Sequence, residues 1–154
     1  MYLAALALTA ALAAEPATPP ASPARQAASD TSLTLDEAAT RYRSLRVVPG
    51  RFSGGKWEDT VDRWLGEKHR AMNRLADSLG QPGTPVAELR RLMAEPDRIV
   101  QRQQADYSEL LTRLPKLTAA DELWIYRWRG DHDFLVFAVE RDQVKAVQWY
   151  LAGE

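Results

Sequence analysis

His69 and His132 are the only imidazoles in the chain and cysteine is absent, so acid–base, nucleophilic and metal chemistry have few groups to draw on. The richest local set is Gly130-Asp131-His132-Asp133, a histidine between two carboxylates. In a hairpin, neighbouring residues point to opposite faces, so His132 and Asp133 are not expected to converge on one ion, and no metal is expected. The Walker A, G-x-G-x-x-G, H-E-x-x-H and G-x-S-x-G spacings are all missing, and with them the phosphate cradles, zinc helices and serine elbows they build; no cofactor is expected. Without cysteine there is no disulfide, zinc–thiolate site, iron–sulfur cluster, thiol nucleophile or acylated lipobox.

Two other sets could carry function. At about 100° per residue, Trp57, Val61, Trp64, Leu65, Met72, Leu75, Ala76 and Leu79 share one helical stripe; Lys68 falls at its centre and His69 on its edge. A basic residue there either snorkels past the tryptophan rings to water or pairs with a carboxylate on a neighbouring element; the sharper reading is a buried amine with a shifted pKa at a site. The second set is Arg127, Trp128, Arg129 and His132 around Gly130-Asp131, an aromatic flanked by arginines, which is the composition enriched at binding hot spots. Its plainer reading has Trp128 capping the core while the arginines solvate the turn.

These residues need elements to hold them. Thr34-Leu-Asp-Glu37 matches a capping box, with Leu35, Ala38, Tyr42 and Leu45 at helical spacing behind it. One long helix is expected over residues 57–79, ended by Gly80 and Pro82, and a further helix capped by Thr84 carries Val86, Leu89, Leu92 and Met93 inward. Between Asp97 and Asp121 a long connection holds an amphipathic piece with Tyr107, Leu110, Leu111 and Leu114 on one side. Residues 123–129 and 133–140 read as strands joined by a two-residue turn at Gly130-Asp131, and residues 143–151 follow a turn at Arg141-Asp142. In that register Trp124, Tyr126, Trp128, Leu135, Phe137, Val144, Ala146 and Tyr150 share one face, and Ile125, Phe134, Val136, Val147 and Trp149 the other. Both faces are apolar, so residues 107–117 or a partner must cover the second one. The expected fold is α+β, with helices packed on a three-stranded antiparallel meander.

Residues 1–14, MYLAALALTAALAA, form an uncharged apolar run too short to span a bilayer, which needs about 20 residues, and Ala11-Leu12-Ala13 gives the small-x-small pattern of a cleaved signal peptide. Residues 15–33 read as a Pro/Ala-rich linker and residues 34–154 as a single domain. The expected location is periplasmic or secreted, with no transmembrane segment after cleavage. Twenty Lys and Arg against 21 Asp and Glu leave a net charge of −1, which offers no field to gather nucleic acid.

Gly83-Thr-Pro85, Leu89, Leu92-Met93, Ala94 and Pro96-Asp97, followed by Trp124-Ile-Tyr126, Phe134-Leu-Val-Phe137 and Val144, together resemble the SmpA/OmlA (BamE-like) domain of bacterial envelope proteins. The likeness spans residues 83–151. It implies two helices on a three-stranded antiparallel sheet, in a fold used for binding other proteins. The chain departs from that pattern at Ala94, where the family has Gly, at Pro85, where Thr is usual, in a longer connection before Trp124 and in lacking the lipobox cysteine. The function expected from these readings is an exported, non-catalytic domain that binds a protein or envelope component. The alternative is a small enzyme with a site around Lys68, His69 and His132.

Overall fold

The computed structural model describes residues 33–153, so the signal-peptide reading, and the linker reading up to residue 32, lie outside the described residues. The elements are α1 (Leu35–Arg46), a 3-10 turn (Arg51–Ser53), the single-turn α2 (Asp59–Asp62), α3 (Glu67–Leu79), α4 (Val86–Met93), β1 (Arg98–Gln101), α5 (Tyr107–Arg113), β2 (Glu122–Arg129), β3 (Asp133–Glu140) and β4 (Gln143–Leu151). The architecture is α+β, as expected, but the antiparallel sheet has four strands in the order β1-β2-β3-β4 rather than three. The added strand is Arg-Ile-Val-Gln, pairing Arg98 with Ile125 through Gln101 with Glu122. Four residues carry too little periodicity to be read alone; β2 supplies the partner that makes them a strand. No helix among the described residues is long and apolar enough to cross a membrane.

The capping box at α1 is formed: Glu37 N–H donates to Thr34 Oγ1 (3.2 Å) and Thr34 N–H to Glu37 Oε2 (2.8 Å). The single helix expected over residues 57–79 is broken, and two residues explain the break. Asp62 is fully buried and its Oδ2 accepts the backbone N–H groups of Arg51 and Glu58, both at 2.9 Å, tying the preceding loop to α2 instead of letting the helix run on. Gly66 sits in a turn so close that a Cβ there would lie 2.7 Å from the Arg63 and Asp59 carbonyl oxygens. Between them Leu65 takes φ 56°, in the left-handed region. Trp57, Trp64 and Leu65 therefore leave the expected apolar stripe and are 49%, 52% and 47% exposed.

Helix α4 also starts one residue later than expected. Pro85 occupies the N-cap position, because Thr84 is drawn into pairing with β4: Val144 N–H donates to Thr84 O and Gly83 N–H to Val144 O, each at 2.8 Å. At the first hairpin the two-residue turn is replaced by three residues, Gly130 to His132, since Arg129 pairs with Asp133 and the register shifts between Arg127 and Arg129. The turn at Arg141-Asp142 is present, with φ of 51° and 60°, the conformation a two-residue hairpin requires.

One side of the sheet packs on α1, α3 and α4 through Trp124, Tyr126, Trp128, Leu135, Phe137, Val139 and Val144. Residues 107–117 cover the other side, as the two-faced apolar pattern demands: Tyr107, Leu114 and Leu117 pack on Leu123, Ile125, Phe134, Val136 and Ala138. The expected faces hold through β3 and fail in β4. Val139 pairs with Val144 but Ala138 with Ala146, so Lys145 is bulged out and the side-chain parity inverts after it. Val147 and Trp149 consequently join the helix side, whereas Ala146 and Tyr150 go to the α5 side.

Candidate functional site

Trp128, near the end of β2, organises the site. Its ring is 1% exposed; Nε1 donates to Val61 O (2.6 Å) and its backbone carbonyl accepts Lys68 Nζ (2.9 Å). The His69 ring lies 4.3 Å away between Trp128 and Trp64, with Trp149 closing the edge at 5.2 Å, and the Arg129 guanidinium sits 4.0 Å over the Trp128 ring. The buried polar and charged residues among those described are Asp62, Lys68, His69, Arg129 and Asp133, and each belongs to this cluster or to a segment that bonds directly to Trp128.

The side chains are held by long-range contacts. Lys68 and His69 come from the first turn of α3, and the break at Gly66 turns them toward the sheet. Burial pushes the His69 imidazole down to about 4, Arg129 pushes it further, and Asp133 opposes. His69 is thus neutral near pH 7; its Nδ1 accepts the N–H of Leu65 (3.3 Å), which leaves the proton on Nε2. The same acceptor holds the strained backbone that carries Trp64 and Leu65 outward.

Lys68 neither snorkels to water nor forms a direct ion pair. It is 5% exposed and its amine is pushed down to about 8 by burial, against the pull of Asp97 and Asp62 and with an added push from Arg46. Asp97 is already engaged by Arg46 Nη2 (2.7 Å) and by the Arg127 N–H (2.7 Å), and Asp62 by its two backbone donors. Lys68→Met therefore strands no carboxylate, removes a costly buried amine and loses one hydrogen bond to Trp128 O. Its stability near pH 7 should lie within about 1 kcal/mol of the wild type in urea denaturation. The amine's folded value lies below its unfolded 10.5, so wild-type stability should rise between pH 8 and 10.5, and that rise should vanish in Lys68→Met.

The hot-spot set divides. Arg127 turns away from the cluster and pairs with Asp131 on the surface (2.6 Å). Trp128 and Arg129 are buried rather than presented to solvent; Arg129 Nε lies 3.0 Å from Asp133 Oδ2. His132, a third exposed, packs on Phe52 and places Nδ1 3.1 Å from the same Asp133 oxygen. The expectation that His132 and Asp133 point apart fails because His132 lies in the loop, outside the alternating strand. Among the described residues no group of three or more His, Asp or Glu is arranged to hold a metal ion.

Lys68, His69, Trp128, Arg129 and His132 thus fall in one continuous cluster, although the sequence places them in two separate sets. It opens to the surface through a cleft of about 240 Å³ lined by Trp64, Arg129, His132, Asp133, Leu151 and Gly153. Of the three groups that an enzymatic site would use, only His132 lines that cleft. His132 Nδ1 and Asp133 Oδ2 are close without forming a hydrogen bond, so the ring is placed by packing on Phe52, and it lines the cleft beside Trp64 and Leu151. Asp62 and Trp149 carry no signal in the sequence that would place them here, and Asp133 stands out there only as a metal-ligand candidate beside His132; the aromatic and carboxylate types were visible, but their convergence was not. No protein-family model, curated protein or solved structure matches the chain.

Proposed function

We propose that this is an exported, non-catalytic domain that binds a protein of the cell envelope, and that its partner seats on Trp64, Leu65 and Leu151. The observation that carries this reading is the presentation of Trp64 and Leu65. Two large apolar side chains, 52% and 47% exposed, stand on a backbone with Leu65 at φ 56°, beside Leu151, which is 45% exposed. Left-handed backbone at a leucine costs free energy, and the fold retains it where it displays apolar surface to solvent. Beneath the display, the Arg129–Asp133 pair and the neutral His69 make a rigid floor without a free charge to bury on docking. The burial of Lys68 and His69 weighs against the small-enzyme alternative, since neither reaches the cleft.

Export rests on residues 1–14, and the kinship of residues 83–151 with the SmpA/OmlA domain rests on the motifs quoted for it. Expressed from its full gene, the protein should be recovered from the envelope fraction with a new N-terminus near Ala14 or Glu15, as read by N-terminal sequencing. Recovery of intact Met1 from the cytosol would refute export. For the binding surface, Trp64→Ala should keep the wild-type circular dichroism while losing partners crosslinked to the wild type in the envelope; the same partners at the same yield would refute it.

A further inference from the structure

The last strand of the sheet, β4, is open along most of its outer edge. Its first residues are already paired there: the chain's own Gly83 and Thr84 bond to Val144, and Pro85 bridges Gln143. Beyond the Lys145 bulge, no backbone group of the described residues bonds to that edge within the strand. Val144 points its N–H and carbonyl outward, and carrying the alternation through the one-residue bulge turns those of Val147, Trp149 and Leu151 outward as well.

Natural edge strands are guarded by charge, proline or bulges against accidental pairing. Here the bulge and Lys145 guard only the start, and Ala146-Val-Gln-Trp-Tyr-Leu151 carries no charge and no proline. The edge also lies in a slot of about 540 Å³. Asn73, Ala76, Asp77, Gly80 and Gln81 of α3 and its C-terminal turn form one wall, Lys116 the other, and Val147 to Trp149 the floor. Gly80 brings the helix so near the strand that a Cβ would collide with Val147. Asp77 and Lys116, on opposite walls, have no ion-pair partner among the described residues. Past Trp149 the strand runs into Leu151, which lines the Trp64 cleft.

We infer that the outer edge of β4 from Val147 to Leu151 receives an extended peptide segment of the partner protein as a fifth strand, whose end seats against Trp64 and Leu151. This rests on the binding reading proposed above and adds the form of the partner. A lone strand fits because walls rise on both sides; a second copy would bring its own α3 and Lys116 against them. The pairing of Gly83 and Thr84 with Val144 is the same addition made by the chain itself at the head of the slot. Main-chain hydrogen bonds supply the affinity, and the walls select small or β-branched residues against Ala76 and Gly80, a basic group toward Asp77 and an acidic one toward Lys116.

The test uses the full chain and a phage-displayed library of random linear peptides, followed by amide exchange on the isotope-labelled protein with an enriched peptide. Binding should slow exchange at the Val147, Trp149 and Leu151 amides. Leu151→Pro, which removes an outward donor, should weaken binding about fivefold relative to Leu151→Ala, the order expected for one lost hydrogen bond. Binding abolished by Trp64→Ala without any new amide protection would overturn strand addition and leave the cleft reading standing. Protection indifferent to Trp64→Ala would keep strand addition and remove the cleft from the reading. Strand addition also falls if no peptide is enriched, or if the amides are already protected in the free monomer by the chain's own remaining residues. Protection that appears only as protein concentration rises would likewise overturn it, with a second copy as the occupant.

Discussion

Trp128→Ala should lower the stability of the domain by about 4 kcal/mol, the cost of emptying a large aromatic site in a packed core. The side chain holds several bonds and ring contacts: Nε1 to Val61 O, the His69 ring at 4.3 Å, the Trp64 ring at 5.7 Å, the Trp149 ring at 5.9 Å and the Arg129 guanidinium at 4.0 Å. Val61, His69 and Trp149 come from α2, α3 and β4, so three segments are tied to β2 here and the cavity cannot be refilled by moving one of them. The loss should appear as a lower urea midpoint and a collapsed near-ultraviolet dichroism signal. Trp64→Ala removes a ring of the same size from the same cluster, but one that is half in water, and should cost under about 1 kcal/mol. Equal losses in the two variants would show that Trp128 does not anchor the α2–α3 segment, and the site would have to be redrawn.

Between pH 6.5 and pH 4 the wild type should lose about 3 kcal/mol through His69 alone, the equivalent of a displacement from 6.5 to about 4. The folded value lies below the unfolded one, so the unfolded chain binds the proton first as pH falls. The stabilisation is therefore complete above the unfolded value and disappears as pH drops through the folded one. Burial is the main cause, and the charged groups that face the ring are Arg129, which disfavours the imidazolium, and Asp133, which favours it. His69→Gln cannot titrate and should show a flatter stability profile over that window, measured by urea denaturation at stepped pH. Parallel profiles for the two proteins would mean that His69 is not held neutral. A protonated Nδ1 can no longer accept the Leu65 N–H, and in the folded domain that protonation comes only as pH falls through about 4, so on the binding reading proposed above a partner seated on Trp64 and Leu65 should be released near pH 4 and not at pH 6.

Features encoded within a few neighbouring residues were legible before any tertiary contact was known. Thr34 and Glu37 make their capping box because both partners lie in one turn, and Arg141-Asp142 turns β3 into β4 over two residues. The apolar alternation of β2 and β3 was legible because a strand's faces repeat every second residue, and greasiness on both of them already required the cover that residues 107–117 provide. The rest depended on contacts between distant segments. β1 exists because β2 lies beside it, and the long helix breaks because Asp62 bonds to Arg51 N–H, a partner eleven positions away. The Lys145 bulge inverted every later face in β4, an outcome periodicity cannot foresee, since one extra residue resets the count. The site was out of reach for the same reason. Lys68 and Trp128 are sixty positions apart, and a buried amine is tolerable only where the fold brings a carbonyl to it. Spacing along a chain carries the rules of local hydrogen bonding, whereas which buried charges meet is settled by packing between segments that have no sequence relation to one another.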